Sequence, residues 1–238
     1  MTEATQPDGF SNSLQLFDSL HWIALGLSLT AIVGVPLIGR CLSLQNRRRV
    51  VWALIVFTAA QEIVDYANRA SFRDLNLIQD LPLHLCNYGL LIAAIGLVTR
   101  NRFCFEFAYY AGMTAVLQAL LTPNFDDLKN LTEYVVYFIH HALIIQFALW
   151  NIVVDRMLPG RGAVARTLLC IVALMLPIAL VNWLTDANYM YLCTRPEVDN
   201  PLLFGAWPWY IGSVLFIGWA LMLVAALPMV WLRRRRAK

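Results

Sequence analysis

The chain has 238 residues, of which 60% are apolar, while Lys, Arg, Asp and Glu together make only 33, or 14%. A water-soluble domain carries about 25% charged residues, so this chain lacks the charge to cover a soluble globule, and a mean hydropathy of +0.61 agrees. Composition excludes a secreted disulfide scaffold, a disordered chain and a nucleic-acid-binding domain, and leaves an all-α polytopic membrane protein.

Apolar stretches long enough to cross or nearly cross a bilayer recur seven times, at 20–38, 50–66, 81–98, 103–121, 134–154, 168–184 and 207–232. The second stretch is the most polar, because Gln61, Glu62 and Asp65 crowd its C-terminal half. Basic residues support it nonetheless. With seven spans, one side receives Arg40, Arg47, Arg48 and Arg49, then Arg100 and Arg102, then Arg156, Arg161 and Arg166, and at the end Arg233, Arg234, Arg235, Arg236 and Lys238. The other side holds only Arg69, Arg73, Lys129 and Arg195. Short loops rich in Lys and Arg face the cytoplasm, so the sequence predicts a seven-transmembrane-helix bundle with its N-terminus outside and its C-terminus cytoplasmic. The expected location is a cell membrane, the bacterial inner membrane.

Residues 1–19 form a polar N-terminal segment without the basic region of a signal peptide. Residues 20–232 form the transmembrane domain and 233–238 a basic cytoplasmic tail, read as a topology anchor that can also attract anionic head groups. Five cysteines stand at Cys41, Cys86, Cys104, Cys170 and Cys193, and on this topology only Cys193 falls in an outside loop, so no extracellular disulfide pairs within the chain. No metal-ligand spacing occurs, and neither a metal nor a cofactor is expected.

Polar side chains within spans are costly and face the bundle interior or a wet cavity. Here they gather in the outer halves: Gln61, Glu62 and Asp65 in span two, His84, Cys86 and Asn87 in span three, Gln118 and Thr122 in span four. His140 and His141 in span five, with Asn182 and Asp186 in span six, join them. An outward-opening shared pocket follows. Pairs three or four apart, such as Gln61 with Asp65, His84 with Asn87 and Asn182 with Asp186, share a helix face. His140 and His141 lie about 100° apart around the axis, so one is expected to line the pocket and the other to pack on a neighbour. Structural readings stand beside these: Glu62 and Asp65 at the water interface, Asn182 and Gln118 as interhelical hydrogen-bond partners, Cys86 as a small apolar residue. Arg195, one of few outer cations, can hold a lipid phosphate or an anionic substrate group, or pair with Glu197 or Asp199. Trp207, Trp209 and Tyr210 read as an interfacial belt.

The Leu-Pro-Leu-His-Leu-Cys-Asn run at 81–87, the Thr-Pro-Asn at 122–124, the histidine pair at 140–141, the stretch 182–191 and the Trp-Pro-Trp-Tyr at 207–210 resemble the YwaF-like family of bacterial integral membrane proteins. More distantly they resemble a eukaryotic multi-pass family with a member regarded as an acyltransferase of ether phospholipids. That resemblance implies a membrane-embedded Cys and His, which fall here on Cys86 and on His140 or His141. The alternative alignment puts the family cysteine at Leu83, which removes the nucleophile.

A thiol whose proton is taken by imidazole can attack an ester carbonyl. Asn87, Asn182 or Gln118 can stabilise the oxyanion and Asp65 or Asp186 can orient the histidine. The sequence thus predicts either a lipid acyltransferase or hydrolase using His140, His141, Cys86 and His84, or a transporter or channel in which Glu62, Asp65 and the histidines relay protons or a small polar solute. A non-catalytic membrane subunit is the third reading. Membrane lipids are the expected partners.

Overall fold

The computed structural model describes residues 9–125, 128–196 and 204–236. Seven helices follow one another: α1 (Ser19–Cys41), α2 (Leu44–Ala70), α3 (Leu85–Thr99), α4 (Arg102–Leu121), α5 (Leu131–Val153), α6 (Ala163–Thr185) and α7 (Trp209–Arg236). One turn at Gly9–Asn12 precedes them, a 3-10 turn at Tyr189–Tyr191 separates α6 from α7, and no strand occurs among the described residues. Six of the helices are long and apolar enough to cross a membrane, and α3 is the shorter seventh.

Sequence dictates most of the starts. Asp18, Ser43, Asn101 and Asn130 each stand just before a helix, and each side-chain oxygen accepts a first-turn N–H, from His21, Asn46, Cys104 and Glu133 respectively. Such caps satisfy donors that have no acceptor within the helix. α3 departs from this pattern and from the expected start at residue 81. Pro82 disfavours helical geometry at Leu81, the chain arrives extended, and the helix opens only at Leu85, with His84 at the cap and no side-chain cap bond. At 15 residues, α3 is about 22 Å long by its 1.5 Å rise per residue. Its N-terminus therefore opens inside the bundle.

α5 is the centre. It packs against α1, α2, α3 and α4, and 72% of its most apolar stretch is buried, against 11% for α7. α1 and α2, though joined by only two residues, both lean on α5. Small residues let the helices close up: a Cβ on Gly39 of α1 would come within 2.4 Å of the Trp150 ring of α5, and one on Gly96 of α3 within 3.2 Å of Cys104 Cβ on α4. The outer helices turn Trp22, Leu27, Leu176, Leu180, Trp183 and Leu227 outward. Large apolar side chains outside and polar ones within suit hydrocarbon as the solvent.

The end that carries the Arg-rich loops is tightly bonded. Glu106 of α4, 1% exposed, accepts from Arg102 Nε at 3.1 Å, Gly160 N at 2.7 Å, and Arg166 Nη2 and Nε at 2.6 and 3.2 Å. Arg100 pairs with Asp155 at 2.7 Å, and Arg236 donates to the Arg156 carbonyl at 2.7 Å. α7 continues through Arg236, with Arg235 stacked 3.8 Å over the Trp231 ring.

Candidate functional site

The opposite end holds a cavity of about 820 Å³, within the usual size of ligand sites. Glu62, Asp65, His84, Cys86, Asn87 and Asp186 line it, together with both His140 and His141. Four helix regions that are distant in sequence thus supply its polar groups.

Both imidazoles face the cavity, contrary to the expectation that one would pack elsewhere. The reason lies in the width of the face that α5 presents: Glu133, Val136, Tyr137, His140 and His141 all line the cavity, a spacing of i, i+3, i+4, i+7 and i+8 that covers a broad helical stripe. The ring centroids are 5.5 Å apart.

Each ring is held by Nδ1. His140 Nδ1 lies 2.7 Å from Glu62 Oε1, and His141 Nδ1 lies 2.7 Å from the carbonyl oxygen of Tyr137. A carbonyl only accepts, so His141 carries its proton on Nδ1, and a carboxylate partner selects the same tautomer for His140. Nε2 is then the nitrogen of each ring left over for proton transfer. His140 Nε2 is buried and unsatisfied, and Cys86 lines the same cavity as both imidazoles. The carboxylate that meets His140 is Glu62, rather than the expected Asp65 or Asp186. Asp65 instead binds Arg69 at 2.5 Å.

Cys86 occupies the first turn of α3. The positive end of the helix dipole favours a thiolate there. The first N–H groups of a helix lack intrahelical acceptors, and Asn87 and Tyr88 N–H turn back to the His84 carbonyl at 3.1 and 3.4 Å. Those of Leu85 and Cys86 remain at the mouth of the helix. Asn87 Oδ1 sits 3.8 Å from the thiol sulfur.

Ion pairs line the rim. Asp80 accepts from both Arg73 guanidinium nitrogens at 2.6 Å and from Asn76 N at 2.8 Å, with Arg69 3.7 Å away. The Arg73 guanidinium holds the Asp80 carboxyl below the ordinary carboxylate value. Above the rim runs a strap, residues 186–196. Asn182 clamps Tyr189 by two backbone contacts of 2.9 Å. The Tyr189 hydroxyl accepts from Leu81 N at 2.8 Å and donates to the Leu77 carbonyl at 2.9 Å. Tyr210 donates to the Tyr191 carbonyl, and Trp207 Nε1 to that of Leu192 at 2.9 Å. His84 Nδ1 accepts from Met190 N at 3.4 Å, and its ring meets Tyr189 edge-on at 5.4 Å. This third histidine joins strap to cavity.

Other candidates lie apart from the cavity. Gln61 donates to Glu62 Oε1 at 2.5 Å without lining the cavity. Gln118 bonds to Thr122 at 2.7 Å, Asn182 is buried as the clamp on Tyr189, and neither lines the cavity. Arg195 is exposed and outside the lining; its candidate partners Glu197 and Asp199 lie outside the described residues. Sequence reasoning passed over Glu133, Tyr137, Asp80, Arg73 and Tyr189. For Glu133 a signal existed, since it stands seven residues before His140 on the same face. Despite the gathering of Cys, His and Glu, no three such groups among the described residues are placed to hold a metal ion.

An all-helical bundle with an apolar exterior and an internal polar cavity defines a multi-pass membrane protein. The TMEM164 family model matches residues 16–226, and the chain belongs to that family. Comparison with curated proteins and with solved structures gives no match.

Proposed function

We propose that the protein is a membrane-embedded acyltransferase or hydrolase of lipid esters, with Cys86 as nucleophile, His140 as its base and Glu62 as the group that orients His140. One observation carries the reading: a first-turn cysteine lines one cavity with two imidazoles whose Nδ1 atoms are both occupied. His140 Nε2 takes the thiol proton, and the thiolate sulfur bonds to the ester carbonyl carbon. The oxyanion meets the N–H groups of Leu85 and Cys86 and the Asn87 amide. Collapse breaks the carbon–oxygen bond, the imidazolium returns its proton to the leaving alkoxide, and a thioester stays on Cys86. An acceptor hydroxyl or water then attacks it, with His140 or His141 as base, and frees the thiol. The resemblance of the motifs to the YwaF-like family, and more distantly to a eukaryotic multi-pass family with a member regarded as an acyltransferase of ether phospholipids, supports the reading.

The proposed setting is the bacterial inner membrane, spanned seven times, with the N-terminus outside, the cavity opening outward and membrane lipids as partners. On α5 the segment beyond His141 is tightly buried, with Leu143, Ile144 and Phe147 at 3% exposure or less. That favours an enzyme over a conduit through the bundle. The test is covalent capture. Protein in nanodiscs with phospholipid is expected to gain an acyl mass on Cys86 that neutral hydroxylamine removes, with loss of the adduct in Cys86→Ala and slowing in His140→Ala. No adduct, together with unaltered lipids on deletion and overexpression, would sink the proposal.

A further inference from the structure

The cavity has two walls of opposite character. Its charged and imidazole groups in the span region come from α2, α3 and α5, whereas α4, α6 and α7 contribute chiefly apolar surface. Ala111, Ala115 and Ala119 line it from α4, Ile171 and Met175 from α6, and Leu215 from α7. Ala115 is exposed although it stands between buried Thr114 and Val116 in the outer half of α4; the cavity is the space it faces. The π turn at Gly112–Val116 inserts an extra residue into α4, so Ala111, Ala115 and Val116 all reach one cavity, a wider face than a regular helix gives. The apolar wall also runs deep. Ile171 lies fourteen residues before the end of α6 at Thr185, about 21 Å along the axis.

We infer that this wall is a hydrocarbon-chain subsite: the acyl tail of the lipid ester lies along α4, α6 and α7 with its carbonyl at Cys86, and Ala115 and Met175 set the chain length accepted. The inference rests on the reading of Cys86 as nucleophile. Water gains nothing from a wall without hydrogen-bonding groups, whereas each methylene of a chain is stabilised there by about 0.8 kcal/mol. The small Ala side chains of α4 leave width for a chain in the cavity that Met175 also lines, and continuity of the wall with the Cys86 site in one cavity fixes which end of the chain reacts.

Alkyl methanethiosulfonates test this without turnover. The Cys86 thiolate attacks the reagent's sulfenyl sulfur, a disulfide forms, and methanesulfinate leaves. Labelling rates at the Cys86 peptide are read by mass spectrometry with ethyl and hexadecyl reagents, and each variant is compared with the unaltered chain so that partition into detergent cancels. The hexadecyl-to-ethyl ratio is expected to fall at least tenfold in Ala115→Phe and to rise in Met175→Ala. If Ala115→Phe fails to fold, the sign of the Met175→Ala change decides. Ratios equal in all three proteins, with Cys86 still reactive to the ethyl reagent, overturn the chain subsite and leave the nucleophile standing. A Cys86 inert even to the ethyl reagent removes both.

Discussion

Glu106 and Glu62 sit at opposite ends of the bundle and show two uses of a carboxylate among apolar helices. Glu106 is saturated: four donors from Arg102, Gly160 and Arg166 cover both oxygens. Glu62 takes both of its bonds, from Gln61 and His140, on Oε1, and its side chain is 30% exposed to the cavity. The first ties α4 to α6 and to the loop before it. The second holds a ring whose other nitrogen is still unspent. A carboxylate with every lone pair engaged builds structure, and one that ends a chain of incompletely bonded groups is poised for chemistry.

Substitutions should separate the two. Glu62→Gln is expected to slow acyl-adduct formation on Cys86 by about 10²- to 10⁴-fold, while thermal stability in detergent stays within about 1 kcal/mol. Glu106→Gln should do the reverse, costing about 3–5 kcal/mol because two arginines lose a buried partner, with the rate per folded molecule unchanged. A variant pair that swapped these outcomes would erase the contrast. Gly39→Val belongs with the structural end: its side chain would drive into Trp150, and overpacking of this kind costs about 1–3 kcal/mol, measurable as a lower midpoint of thermal unfolding.

Smaller effects are expected at the rim. Because the Asp80 carboxyl is held below its ordinary value by Arg73, its contribution to holding the segment 71–84 is present above about pH 3.9 and is lost as the pH falls below it. Protease cleavage in that segment should therefore rise on acidification, and Asp80→Asn should be cut readily at every pH. Arg195→Ala, at an exposed position away from the cavity, should change stability by no more than about 0.5 kcal/mol and leave the adduct rate as it was.

The seven apolar stretches of the sequence correspond to the seven helices, because hydropathy reports what hydrocarbon tolerates. It does not report where a helix starts when Pro82 intervenes, and that displaced start is what puts Cys86 in a first turn. Depth was legible too: Glu62, Asp65, His84, Cys86, Asn87 and the histidine pair share one end and one cavity. Azimuth was not. Glu62 and Asp65 are only three residues apart on α2, and the rotation of α2 against α5, which no local pattern encodes, gives His140 to the former, whereas Asp65 bonds to Arg69 one turn further along its own helix, a spacing the sequence does show. Asn182 illustrates the same limit, because its partner, the Tyr189 backbone, depends on how the following strap folds back.

The central position of α5 has a consequence for biogenesis. α1 and α2 are made before the helix against which both pack, and Glu62 precedes His140 by 78 residues. At about 5–20 residues per second, roughly 4–16 s of synthesis separate the two. Through that interval Glu62 waits in the membrane or at the translocon without its partner on α5. The site is assembled late, and the nascent chain must be sheltered until its fifth helix arrives.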